Sequence, residues 1–351
     1  MSKMPHKHSP WRIFGLSGVI TLGALIGIFF GMGTSAVTIA LILILVEIAF
    51  SFDNAIINAK ILSKMSPFWQ RMFLTVGALI AVFGMRVVFP ILIVSMTAHL
   101  GWSEVLNLAL HHPSEYAEKL DVAHPSISAF GGAFLMVLAL DFFIDQEHQV
   151  LWLTHFERNM RKLAKHWAAP LIALLIVVGV AFLPYNEHEH VTLIAGGLGV
   201  IAYSIIHGLT ELLGKLQAHN SPDAKQAGIV AFLSFLYLEV LDASFSFDGV
   251  IGAFAVTNKV ILIAAGLGVG ALWVRSLTVF MVRRGTLASY KYIEHGAHYT
   301  IAVLACLLFV SIMYNVPEVI TGLTGLGIIV SSIVASRQAA TAERKLKRRS
   351  A

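Results

Sequence analysis

Two short stretches of this chain place acids, hydroxyls and an amide at matching spacing inside otherwise apolar sequence. Glu47-Ile48-Ala49-Phe50-Ser51-Phe52-Asp53-Asn54 and Asp242-Ala243-Ser244-Phe245-Ser246-Phe247-Asp248-Gly249 both read acid, three residues, Ser-Phe-Asp, then Asn or Gly. A further acid, Glu239, lies three residues before the second copy. Carboxylates beside a serine hydroxyl and an asparagine amide are hard oxygen donors, suited to Mn²⁺, Mg²⁺ or Ca²⁺ rather than to a thiolate-seeking metal. The ion-binding candidates are therefore Glu47, Ser51, Asp53, Asn54, Glu239, Asp242, Ser246 and Asp248, with Glu47, Asp53, Asp242 and Asp248 as metal ligands. Arg86 and Arg275 are their charge partners. Five acids against two arginines leave an excess of negative charge that one divalent cation and one proton would cancel. On an ideal helix Glu47, Ser51 and Asn54 form one stripe, while Asp53 points about 120° away. Either Asp53 and Asp248 face other partners, or the helices unwind at Ser-Phe-Asp. A purely structural alternative pairs Arg86 with Asp53 and Arg275 with Asp248 as buried ion pairs that fix helix packing, with Ser51 and Ser246 as small packing residues.

The elements that must hold these residues are membrane-spanning helices. Of 351 residues, 57% are hydrophobic and 13% charged, with a mean hydropathy of +0.78. Soluble domains carry about 25% charge, so much of this surface must face lipid. A cytosolic enzyme, a disordered protein and a disulfide scaffold are excluded. Cys306 is the single cysteine and lies in an apolar run. A spanning helix needs about 20 mostly apolar residues, and candidates lie at 11–30, 35–59, 69–96, 126–144, 168–184, 191–210, 225–256, 260–282, 290–313 and 317–336. The first is read as a retained span rather than a signal peptide, and the polar stretch 97–125 as a surface segment with room for a short helix. With the N-terminus inside, nearly all Lys and Arg fall on cytoplasmic segments; only Lys119 and Lys259 fall outside, and Arg86 and Arg275 fall within spans. That is the positive-inside pattern. Both termini are then cytoplasmic, in the inner (plasma) membrane, and 337–351 is a basic tail beside anionic lipid. The net charge of +5 is thus topology information, not a nucleic-acid surface. His295 and His298 with Glu294 read as a helix end with solvated histidines, the alternative being an extension of the ion path. Asp141 and Asp145 close the fourth span on the cytoplasmic side, where they line either an inner vestibule or an interfacial loop, and His207 with Glu211 has too few ligands for a metal site.

The matching stretches belong to a larger repeat. Gly77 precedes Arg86 by nine residues, as Gly266 precedes Arg275, and Gly132-Ala133 corresponds to Gly296-Ala297. The expected fold is all-α and polytopic: about ten transmembrane helices in two inverted five-helix repeats, 11–184 and 191–336, forming one membrane domain. An odd number of spans per half inverts the second, a construction that places transporter sites near the midplane. The paired motifs resemble the signature of TerC-type integral membrane proteins within the LysE-like transporter superfamily. The stretches Leu140-Asp141-Phe142-Phe143 and Glu294-His295-Gly296-Ala297-His298, with Asp242 for a glutamate and Gly249 for an asparagine, look like a separate branch. The resemblance implies efflux of a divalent metal, especially manganese, as transported cargo rather than as a bound cofactor. The expected activity is export by alternating access, with carboxylates shared between ion and protons. An exporter of a small cationic organic solute, or a non-transporting membrane assembly factor, are the alternatives. An enzyme is not expected: Gly-x-Gly-Asp and His-Glu-x-x-His are missing. The expected partners are the bilayer and the divalent ion, with no nucleic acid; self-association into a homo-oligomer stays open.

Overall fold

A computed structural model describes residues 10–146, 150–163, 165, 167–220, 228–254, 256, 257, 259–285 and 289–350, excepting the side chains of Arg12, Phe50, residues 213–220, Phe247, Asp248, Ile251, Glu318 and residues 343–350. The described secondary structure is helical throughout, as long apolar runs in lipid require, because only intra-segment hydrogen bonding satisfies the backbone there. The helices are α1 (Pro10–Met32), α2 (Thr34–Phe50), α3 (Phe52–Lys64), α4 (Pro67–Met72), α5 (Phe89–Ala98), α6 (Trp102–His111), α7 (Pro113–Ile144), α8 (Thr154–Met160), α9 (Ala168–Ala181), α10 (Glu189–Asn220), α11 (Gly228–Phe254), α12 (Val260–Arg284), α13 (Ile293–Ser311) and α14 (Glu318–Ser350). Between α4 and α5 the helix widens into two π-helical stretches, Phe73–Gly77 and Ile80–Val88.

Among the described residues eight helices are long and apolar enough to cross a membrane. Two bent pairs raise the number to ten if each is one span: α2 with α3, bent by 52°, and Thr154–Leu163 with α9, bent by 102°. The chain is a multi-pass membrane protein. The surface segment expected at 97–125 divides between α6 and the first turns of α7, which runs through the buried Pro125 without ending. The basic tail expected from 337 is a continuation of α14.

Two helices organise the rest. In α7, 78% of the most apolar window is buried, against 17% in α1, so α7 is central and α1 peripheral. Its Ala129, Ala133, Phe134 and Val137 pack with Ala297, Ile301 and Ala305 of α13, and it also meets α10, α11 and α9. Gly132 lets α7 approach α13, since a Cβ there would lie 3.3 Å from the Ala305 carbonyl oxygen. The second organiser, α12, packs against α1, α2, α3 and the stretch Ile80–Val88. Thus α12, from the C-terminal part of the chain, sits among N-terminal helices, and α7 sits among C-terminal ones. This interlocking brings the two Ser-Phe-Asp stretches together.

Candidate functional site

The first Ser-Phe-Asp stretch is where α2 gives way to α3. Ser51 has φ −93° and ψ 17°, outside helical values, while its amide still donates to the Glu47 carbonyl at 3.0 Å. Its hydroxyl reaches Glu47 Oε1 at 3.2 Å. Serine suits such a junction because its short side chain bonds nearby groups in competition with the helix. The second stretch behaves differently: α11 runs from Gly228 through Phe254 as one helix. Unwinding at Ser-Phe-Asp therefore occurs in the first copy and not in the second. The acid four residues before the serine differs as well. Asp242 is one methylene shorter than Glu47, and its oxygens are engaged elsewhere.

Those engagements form a chain of alternating charge through the protein interior. Glu47 pairs with Arg86 Nη2, and Arg86 Nη1 lies 3.9 Å from Asp242 Oδ2. The same oxygen accepts from Arg275 Nη2 at 3.1 Å, and Arg275 holds both oxygens of Glu239, at 3.1 and 2.9 Å. Asn54 Nδ2 donates to Asp242 Oδ1 at 2.9 Å, tying α3 to α11. All six side chains are buried. Each guanidinium is held further: Arg86 Nη1 donates to the Ala81 carbonyl at 3.0 Å, while Arg275 Nη1 donates to the Phe73 carbonyl at 3.2 Å and its guanidinium lies over the Phe73 ring at 4.3 Å. Glycines permit this density. A Cβ on Gly270 would sit 2.6 Å from Glu47 Cγ, and one on Gly77 2.7 Å from Glu239 Oε1.

Both arginines thus lie inside the bundle beside acids of the motif helices. The structural alternative that paired Arg86 with Asp53 is corrected: Arg86 takes Glu47, one turn before Ser51 on α2. Arg275 takes Glu239 and Asp242; the Asp248 side chain lies outside the described residues. Asp53 stands apart. It is 6% exposed, and its Oδ1 accepts no hydrogen bond. With Glu47 and Ser51 it lines a cavity of about 50 Å³, walled also by Ser244 and Gly249 of α11, Thr300 of α13 and Thr321, Gly322 and Gly325 of α14. That is several times the roughly 10–15 Å³ one water requires. Ser246 is buried with an unpartnered hydroxyl, as are the side-chain oxygens of Asn54 and Asn58. Buried acceptors without donors are costly, and a cation or water satisfies them. Among the described residues no three His, Cys, Asp or Glu side chains stand together as a metal cage. Of the four metal-ligand candidates, Glu47 and Asp53 share the cavity, and Asp242 is taken up by Arg86, Arg275 and Asn54. Sequence reasoning missed Ser244, Asn58, Thr300 and Thr321. The run Thr321-Gly322 and Gly325 was the available signal, since small residues mark close helix contacts in membranes.

Toward the ends of α3, α7 and α13 lies a second polar group. His295 and His298 are buried, which corrects the expectation of solvated histidines. His298 stacks on Phe142 with ring centroids 3.6 Å apart, and His295 Nε2 meets the Val150 carbonyl at 3.0 Å. Glu157, also unforeseen, is buried and accepts from the amides of Trp152 and Leu153 and from the Tyr299 hydroxyl at 2.9 Å. Lys60 pairs with Glu294. Asp141 accepts from the Tyr203 hydroxyl at 3.0 Å and faces His207 at 3.3 Å. The letters of a serine hydrolase motif, Gly-x-Ser-Gly, do occur at Gly15-Leu16-Ser17-Gly18. The Ser17 hydroxyl, however, meets Ser276 Oγ at 2.7 Å and the Leu272 carbonyl at 3.3 Å, neither of which serves as a general base.

Residues 52–343 match the family described as "Protein of unknown function (DUF475)", and the chain belongs to it. No curated protein and no solved structure matches the chain.

Proposed function

We propose that this member of the DUF475 family is a membrane transporter that exports a divalent cation, with manganese favoured, by alternating access. The observation that carries the reading is Asp53: a buried carboxylate with an unpartnered oxygen, opening into a small cavity at a helix break. Ionisable groups are expensive at membrane depth, and function is the default explanation when one is kept there. Hard oxygen donors around Asp53 suit a hard cation. Glu47 links this cavity to the alternating charge chain, so a cation entering beside Asp53 reaches groups contributed by both parts of the molecule. Broken helices around a cavity are a recurrent arrangement in transporters built from inverted repeats, and we read 11–184 and 191–336 as such a pair. We place both termini on the cytoplasmic side of the inner membrane, following the distribution of Lys and Arg.

The test is Mn²⁺ flux in vesicles containing the purified protein, together with the manganese content of cells with and without it under excess metal. Flux that requires the protein, and lower manganese in cells that have it, are expected. Vesicles that pass neither Mn²⁺ nor another divalent ion would point instead to a non-transporting assembly role, and flux of a cationic organic solute to the solute exporter.

A further inference from the structure

The two buried arginines are held very differently, and the difference bears on which of them can give up its carboxylate to a cation. Arg275 is fixed: both its terminal nitrogens engage Glu239, one also engages Asp242, the other the Phe73 carbonyl, and its face covers the Phe73 ring. Arg86 has one close carboxylate, Glu47, with Asp242 at 3.9 Å and the Ala81 carbonyl as its remaining partners. Glu47 is also the residue shared with the cavity, where it stands beside Asp53 and Ser51. A cation seated between Asp53 and Glu47 would therefore compete with Arg86 for the same carboxylate.

Arg86 is also placed on a backbone able to move it. It lies in the π-helical stretch Ile80–Val88. A π turn holds one residue more than an α turn, and such turns occur often at functional sites. Returning the turns before Arg86 to α-helical bonding would rotate Arg86 relative to Ile80 by up to about 100°, enough to carry the guanidinium off Glu47. We propose that Arg86 is a built-in counter-cation: it occupies Glu47 when the site is empty, is displaced when the transported cation binds, and moves with the π-helical stretch. This rests on the transporter reading and adds to it the reason why the empty site does not carry an uncompensated Glu47. Arg275 is the fixed member of the pair and anchors α12 to α11.

The test uses the full-length protein in detergent, titrated with Mn²⁺ and followed by the resonance signal of free aqueous Mn²⁺. Removing a competitor should raise affinity, so Arg86→Gln should bind Mn²⁺ about tenfold more tightly than the wild type, within the 5–150-fold range typical of coupling between sites. If Arg86→Gln does not fold, Arg86→Lys serves. An ammonium cannot span Glu47, Asp242 and the Ala81 carbonyl as a planar fork does, so a gain of several-fold is expected. Wild-type binding with equal or weaker binding by a folded variant would overturn the counter-cation while leaving the transporter reading intact. Absence of Mn²⁺ binding in the wild type and in both variants would overturn the manganese-export reading on which the counter-cation rests.

Discussion

At the scale of single residues, the four motif acids with described side chains fall into two groups, and the groups predict opposite phenotypes. Asp53 touches neither arginine, so Asp53→Asn removes a buried charge without orphaning a cation. The variant should express and melt like the wild type and lose metal flux. Asp242→Asn weakens the acceptor shared by Arg86, Arg275 and Asn54. Breaking a buried pair costs about 3–5 kcal/mol, so this variant should show a clearly lower melting temperature and a lower protein level. Measuring level, melting and flux on both variants decides the matter, and equal loss of stability in the two would refute the division. Sequence spacing had placed Glu47 with Ser51 and Asn54 on one ideal-helix stripe and Asp53 off it, whereas the break at Ser51 brings Asp53 to the same cavity as Glu47 and Ser51. Spacing did not reveal that Arg86 chooses Glu47 over Asp53. That choice depends on where one helix crosses another, and periodicity carries no information about crossings.

At the scale of elements, the break between α2 and α3 and the π-helical widening before α5 are the two departures from regular helix near the site. Duplicated Ser-Phe-Asp letters left open whether both helices unwind there; the first does, and α11 continues through its copy. The π turns had no letter signature. Glycines near the crossings give a direct test of how tightly these elements are held. Gly270→Ala would drive a methyl group into the Cβ–Cγ stem of Glu47, which is too close to its own backbone to swing aside. Overpacking of this kind costs about 1–3 kcal/mol, and α12 should separate from α2, with loss of both stability and flux. Gly179→Ala, on α9 with open space around it, should be neutral or stabilising by up to about 1 kcal/mol through helix propensity. Thermal melting of the two variants side by side checks the contrast.

At the scale of the whole molecule, the ten apolar runs were legible because lipid leaves few ways to be a spanning segment, and eight helices plus two bent pairs correspond to them. The interlocking of α7 and α12 was not legible, since nothing in a hydropathy pattern says which helix lies at the centre. It predicts that neither part of the chain is a folding unit. Residues 1–186 expressed alone lack α12 and should be degraded, whereas co-expression with residues 187–351 should restore a complex that co-purifies; a stable N-terminal fragment would refute the prediction. The peripheral α1 shares this dependence. Its hold on the bundle runs through Ser17 to Ser276 and Leu272, through the Thr21 hydroxyl to the Trp273 indole, and through Phe14 stacked on Trp273. The Ser17 and Leu272 partners are 255 residues apart in sequence. At synthesis rates of about 5–20 residues per second, α1 waits on the order of 10–50 s for the helix that takes up its polar side chains. During that interval its hydroxyls have only their own backbone to bond, as Thr21 does with the Ser17 carbonyl. Biogenesis of this protein therefore requires that α1, packed through Ile28 against Ala36 and Ala40 of α2, be tolerated in the bilayer with its hydroxyls unmatched, or be sheltered by the insertion machinery, until α12 has been made.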